Sequence, residues 1–329
     1  MTTNGSHKAS VPVCFPFIVG CGRSGTTMLR AMLDSHPDIA VPAETKFIAR
    51  MGASRHRYER TGGFAIEPFI EDMYRLTALE ARWDLPRDVT SAALAAEPPQ
   101  DYPDAVRRVF ATMARRRGKP RYGNKTPIHV MTIPMLAELF PEARFVHLIR
   151  DGRDVAMSYM DTEFGPNSVI GGALHWKRHV RKGRVAGARL GSGRYYELRY
   201  EDLVDDPELE LRSLCSFLDL EYQDSMLAYY THAGDVLEGI KLPQYHSGLK
   251  LPPTRRMRDW RTAMGGQDVA RFEAIAGSLL AELSYERAFP RLAPHVALAA
   301  RWEASLEEGH RLAGAVSRRL SVGGDSWGR

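Results

Sequence analysis

From Phe15 to Leu33 the chain reads Phe-Pro-Phe-Ile-Val-Gly-Cys-Gly-Arg-Ser-Gly-Thr-Thr-Met-Leu-Arg-Ala-Met-Leu, an apolar strand that runs into a glycine-rich turn opening a helix. Gly20, Gly22 and Gly25 let the backbone curl so that successive N–H groups point inward at a helix N-terminus, where the dipole adds positive potential. Such a turn is an anion cradle, and a strand feeding a helix through it belongs to an α/β fold. Ligands of such folds bind beyond the carboxyl ends of the strands.

Gly20 and Gly25 keep the glycine spacing of a Walker A loop, but Thr26, followed by Thr27, stands where that motif carries Lys. Arg23 supplies the positive charge from inside the loop. The hydroxyls of Ser24, Thr26 and Thr27 can donate to phosphate oxygens. A kinase or nucleotide-binding regulator using ATP and magnesium is the competing reading. It lacks the Walker Lys, and no clear Walker B carboxylate follows.

The strand–helix rhythm organises the chain. After the first helix, Asp34-Ser35-His36-Pro37-Asp38 breaks it, and Ile39 to Val41 forms a second short strand before Pro42. From about residue 50 to 118 the pattern turns helical with no strand alternation, as a cap inserted at about 51–118 would. Strands are expected at Arg121 to Lys125, Phe145 to Ile149 and Arg194 to Leu198. Helices are expected from about His129 to Phe140, through Tyr159, over Ala173 to Ala188, from Asp206-Pro207 to Leu218, and from about Asp268. Apolar residues at helical spacing from Leu292 to Leu320 suggest an amphipathic C-terminal helix before a loose tail. The expected organisation is a flexible stretch over 1–12, one α/β domain over 13–290 with a mostly parallel sheet flanked by helices, and the C-terminal helix and tail over 291–329.

With 329 residues and a formal net charge of +5, the chain can bury a full core and favours anionic ligands. Both signs of charge are interspersed, so a small polyanionic nucleotide suffices and no nucleic acid is called for. Cys14, Cys21 and Cys215 lack metal-ligand spacing and leave an odd thiol over, which fits a reducing compartment. No apolar leader or membrane-length apolar run appears, so a cytoplasmic location without a membrane span or a metal is expected.

The loop Gly22-Arg23-Ser24-Gly25-Thr26-Thr27 resembles the 5′-phosphate loop of sulfotransferases, and Arg150-Asp151 with Ser158 eight residues on resembles their 3′-phosphate motif. The similarity is closest to tyrosylprotein sulfotransferases across Arg23 to Lys46, and it returns at Asn124-Lys125-Thr126-Pro127. The family usually carries Pro where this chain has Gly22, and its Gly-Asp-Trp signature reads Arg258-Asp259-Trp260 here. The resemblance implies a P-loop-like sulfotransferase fold, with 3′-phosphoadenosine-5′-phosphosulfate as donor and adenosine 3′,5′-bisphosphate as product. It also implies a hydroxyl-bearing acceptor, a small molecule or a peptide tyrosine, with phenolic or tyrosine-like, sugar and lipid hydroxyls all left open.

Residue by residue, the resemblance makes Glu44 the general base, with His129 as the competing candidate. Lys125 would touch the bridging oxygen, and Arg23 the 5′-phosphate or sulfuryl oxygens. Arg150 offers a planar fork to the 3′-phosphate, with Ser158 reaching the same group. Tyr200 matches a position near the adenine. Arg255, Arg256 and Arg258, next to Trp260, concentrate charge where the family closes a lid over the 3′-phosphate. Arg153 and Asp154 are expected to cap or pair within their turn, and His36, His147 and His175 to be structural.

Overall fold

The structure, a computed structural model, describes residues 14–232, 248–254 and 259–323. The expected flexible stretch over 1–12, the Arg255, Arg256 and Arg258 cluster and the end of the tail lie outside the described residues.

Every residue of β1 (Phe15–Gly20) is buried, as a central parallel strand covered on both faces requires. It feeds α1 (Thr26–Asp34) through the glycine turn. β2 (Ile39–Ala40) leads to the segment carrying Glu44 and then to α2 (Phe47–Gly52). Helices α3 (Ile66–Leu76), α4 (Leu79–Trp83), α5 (Arg87–Ala96) and α6 (Tyr102–Arg116) fill most of the stretch up to residue 116. That stretch is not wholly helical, because β3 (Glu59–Arg60) and β4 (Gly63–Phe64) form a two-stranded antiparallel hairpin within it.

The strand expected over Arg121 to Lys125 is two strands. β5 (Arg121–Tyr122) pairs with β2, and after Gly123 the chain shifts so that β6 (Asn124–Lys125) pairs with β1. The helix expected from His129 is likewise split into a 3₁₀ turn over Pro127–Met131 and α7 (Ile133–Leu139). Pro134 sits in the first turn of α7, where its missing N–H costs no intrahelical bond, and in a continuous helix it would remove one.

β7 (Ala143–Ile149), α8 (Gly152–Met160), α9 (Val169–Leu190), β8 (Tyr195–Arg199), α10 (Tyr200–Asp205) and α11 (Pro207–Phe217) continue the alternation. The described chain closes with α12 (Trp260–Ala263), α13 (Gly266–Glu282) and α14 (Pro294–Gly323). No helix among the described residues is long and apolar enough to cross a membrane.

The main sheet has the order β6-β1-β7-β8, and each adjacent pair is parallel. Its two faces bury different partners. Phe15, Phe17 and Val19 pack with Phe47, Phe69, Tyr102 and Phe110, so the helices of residues 47–116 share a core with β1. Ile18 points the other way, to Leu29, Leu33, Leu211 and Leu214. A third cluster joins α8 and α9 to α13 through Val155, Trp176, Phe272 and Leu279. Full burial of each large apolar side chain contributes roughly 1.5–3 kcal/mol before the entropy of ordering is set against it.

All four strands of the main sheet therefore end at one rim: β1 at the glycine loop, β6 at Lys125, β7 just before Arg150 and β8 just before Tyr200.

Candidate active site

The glycine loop is shaped by two left-handed residues, Arg23 with φ 69° and Gly25 with φ 89°. Alternating hands of this kind turn consecutive N–H groups toward a common centre. Gly25 is also the N-cap of α1, and no side chain caps that helix. By contrast, Asp151 caps α8 by accepting from the Arg153 N–H, and Ser168 caps α9 by accepting from that of Gly171. The first-turn donors of α1 are left for an external anion.

Any side chain at position 25 is excluded twice, by φ and by space: a Cβ there would lie 2.4 Å from the Tyr200 ring. Tyr200 thus rests on the loop, and the Arg150 guanidinium stands 4.5 Å from its ring centroid. Thr26 and Thr27 are buried in the first turn of α1, and the fully buried Ser24 Oγ has no hydrogen-bond partner among the described residues. A buried hydroxyl left unpaired costs on the order of 1–3 kcal/mol, which a bound phosphate oxygen would relieve.

Ser158, on α8, meets the glycine loop through Arg23. Its Oγ accepts from Arg23 Nε at 3.0 Å, whereas Arg150 Nη2 donates to Asp154 at 3.3 Å. The Arg150 Nε is buried and unpaired among the described residues. Burial pushes the Asp154 carboxyl up to about 6, against the lowering effect of Arg150.

Asp154 also holds the Trp260 backbone N–H, at 2.9 Å. Arg150, Asp154, Tyr200 and Trp260 together line a cleft of 380 Å³. Arg153 reaches beyond its own turn: it is fully buried, ion-paired to Asp151 at 2.7 Å and to Glu273 at 2.8 Å. Its guanidinium lies 3.5 Å from the Trp260 ring centroid. Arg153 therefore ties α8 to α13 and does not face the cleft.

Glu44 is fixed by its neighbours. Arg30 of α1 donates to the Val41 carbonyl at 2.9 Å, and Asp34 accepts from the Val41 N–H at 2.8 Å. Trp83 Nε1 donates to the Ala43 carbonyl at 2.8 Å. On the other side, Thr126 Oγ1 donates to the Thr45 carbonyl at 2.6 Å. The Glu44 carboxylate, 32% exposed, then stands 3.7 Å from Lys125 Nζ, which is 5% exposed. Burial pushes the Lys125 ammonium down to about 8, and Glu44 opposes that fall.

His129 is placed elsewhere. It is buried beneath β1 with its ring centroid 6.2 Å from that of Phe17, and its Nδ1 faces Asn124 Oδ1 at 3.1 Å. Burial pushes it down to about 3, so it is neutral at pH 7. Its side chain is buried from solvent, at 1% exposure.

A parallel sheet whose strand ends gather a glycine cradle, two further arginine and lysine cations and one half-exposed carboxylate is built for an anionic donor and a proton-losing acceptor. The sequence profile of the sulfotransferase family matches residues 16–224.

The chain belongs to the sulfotransferase family.

Among curated relatives, this sulfotransferase is 27% identical over 281 residues to protein-tyrosine sulfotransferase 1 of Danio rerio, a match covering 82% of this chain and 72% of the relative. It is 29% identical over 281 residues to protein-tyrosine sulfotransferase 2 of Gallus gallus, covering 82% and 69% respectively. In fold it matches the sulfotransferase domain of the Synechococcus PCC 7002 olefin synthase, with a TM-score of 0.60 at 23% identity over 83% of this chain and 94% of that one.

Two groups near the site of the sulfotransferase escaped sequence reasoning. Arg82 of α4 is close enough to Glu44 for the carboxylate to oppose the lowering that burial imposes on the guanidinium. Tyr159 of α8 hydrogen-bonds Cys21 and covers Gly22, where a Cβ would fall 2.3 Å from its hydroxyl. Neither sits in a motif, and both are brought in by helices distant in sequence.

Proposed function

We propose that this sulfotransferase moves a sulfuryl group from 3′-phosphoadenosine-5′-phosphosulfate to an acceptor hydroxyl, with a phenolic or tyrosine-like hydroxyl first among the candidates. The observation that carries the reading is the Glu44–Lys125 pair, 3.7 Å apart at the rim that also holds the glycine cradle. Curated relatives named protein-tyrosine sulfotransferases support the phenolic choice.

The donor's 5′-phosphate lies in the cradle on the N–H groups of the Gly25 turn and the hydroxyls of Ser24, Thr26 and Thr27. Its 3′-phosphate takes the Arg150 fork, and Tyr200 and Trp260 flank the nucleoside. Arg150 must then give up part of its contact with Asp154, and Ser158 part of its contact with Arg23, for two phosphate charges in exchange. Glu44 takes the proton of the acceptor hydroxyl as the new S–O bond forms. The bond from sulfur to the bridging phosphate oxygen breaks in line, and Lys125 donates to that oxygen as its charge grows. Adenosine 3′,5′-bisphosphate leaves with the electron pair. Arg23 neutralises charge spread over the non-bridging oxygens, and no covalent enzyme intermediate is required.

An acceptor screen read by mass spectrometry tests this. The expected result is a gain of one sulfuryl group on a phenolic acceptor together with release of the bisphosphate. Phosphoryl gain from ATP, with none from the phosphosulfate donor, would refute it.

A further inference from the structure

Cys21, in the glycine loop, and His175 and His179, one turn apart on α9, form a cluster whose ligand atoms all lie within 4.8 Å of one another. We propose that these three side chains bind a zinc-class transition-metal ion, which clips the base of the glycine loop to α9.

The donor set is the first argument. One thiolate and two imidazoles are the ligands that zinc and cobalt(II) prefer over the hard cations magnesium and calcium. Around a tetrahedral ion, Zn–S near 2.3 Å and Zn–N near 2.0–2.1 Å put ligand atoms roughly 3.3–3.6 Å apart. The ligand atoms of the cluster, all within 4.8 Å of one another, must close inward by about an ångström to reach that spacing.

The second argument is the hydrogen bond behind the ligand. His179 Nδ1 lies 2.7 Å from the His175 backbone carbonyl. A carbonyl can only accept, so Nδ1 carries the proton and Nε2 presents its lone pair. This is the outer-shell arrangement that orients ligating histidines. The two imidazoles are already side by side, with ring centroids 4.0 Å apart.

Charge and access agree with the assignment. Burial lowers both imidazoles toward their neutral, ligating form and raises the Cys21 thiol strongly, so the thiol gives up its proton only as the ion binds; Arg178 acts in the ligating direction on all three, as a smaller effect. It also repels a dication, so the thiolate's negative charge is a necessary member of the set. Cys21 and His179 are buried, while His175 is partly exposed and gives the ion its way in. A solvent molecule would complete the four-coordinate shell on that side.

Binding forms an S–metal and two N–metal bonds and releases the Cys21 thiol proton to solvent, with no change of oxidation state. Because Cys21 lies between Gly20 and Gly22, an ion held there restrains the backbone that forms the anion cradle.

The test is a cobalt(II) titration of the full-length, chelator-stripped protein, followed by competition with zinc. Wild type is expected to take up one equivalent, with an intense thiolate-to-cobalt charge-transfer band and tetrahedral d–d absorption, both of which zinc abolishes. In Cys21→Ser the charge-transfer band should vanish, and in His179→Gln affinity should fall at least ten-fold. Cys14→Ser and Cys215→Ser should leave the spectrum unchanged. Absence of the band in wild type overturns the proposal, whatever the variants do. So does a band that survives Cys21→Ser or is lost with Cys215→Ser.

Discussion

Replacing Glu44 by Gln keeps the shape of the side chain and removes both its proton affinity and its charge, so two consequences follow. Loss of a general base costs about 10²–10⁴ in the rate of the transfer step. The second consequence falls on Lys125. Two unit charges 3.7 Å apart interact by about 1 kcal/mol even at the permittivity of water. The partial exposure of Glu44 favours that lower bound over the larger values of a dry site. About 1 kcal/mol is somewhat under one pKa unit. The Lys125 ammonium, held at about 8 in the native enzyme, should therefore titrate lower in Glu44→Gln, where burial acts without the opposing charge.

Only the protonated amine brings a positive charge to the leaving oxygen, so transfer falls as pH rises through the Lys125 pKa. Single-turnover transfer measured against pH separates the two effects. The variant should show a rate about 10²–10⁴ lower near neutrality, and its alkaline limb should be displaced to lower pH than that of wild type. Nucleotide affinity should hardly change. Wild-type turnover in Glu44→Gln would refute the base assignment, and an unmoved alkaline limb would refute the Glu44–Lys125 coupling.

Arg150→Ala should weaken adenosine 3′,5′-bisphosphate by about 1.5–3 kcal/mol, roughly ten- to hundred-fold, and leave adenosine 5′-monophosphate nearly unaffected in calorimetry. Equal losses for both nucleotides would assign Arg150 to the fold. Acid should destabilise the protein through His129. Burial lowers its folded pKa to about 3, against an unfolded value near 6.5, so between those limits the unfolded chain binds the extra proton. Stability is then lost as pH falls below about 6.5, by up to about 1.4 kcal/mol per pH unit for this group. Urea unfolding at successive pH values should show a shallower slope in His129→Gln, and an identical slope would contradict the assignment.

The parts of the fold written in local pattern were legible. β1, the glycine turn and α1 follow from apolar run, glycine placement and helical period within twenty consecutive residues. β7 was visible because a buried parallel strand is apolar throughout. The division of residues 121–125 was not, because Arg121 and Asn124 pair with different strands, β2 and β1, and nothing local specifies a change of partner. The break before α7 did have a signal, Pro134, which periodicity alone overrode.

Within the site, the residues at strand ends were legible since topology gathers strand ends at one rim. That Ser158 meets Arg23 was not legible, because eight residues of helix fix its height along α8 but not which cation turns toward it. Arg82, and the meeting of Cys21 with His175 and His179, depend on packing between segments far apart in the chain, where no spacing rule operates.

The central claim is that the rim binds a nucleotide with one phosphate in the cradle and a second on its ribose. Thermal melts of the chelator-treated protein with adenosine 3′,5′-bisphosphate, and in parallel with ATP and magnesium, test it most directly. A ligand bound only to the native state contributes about 2.7 kcal/mol at a hundred times its dissociation constant. At about 2–4 °C per kcal/mol, this predicts that the bisphosphate alone raises Tm by several degrees. ATP with magnesium should do much less. A larger rise with magnesium and ATP, and none with the bisphosphate, would contradict the account.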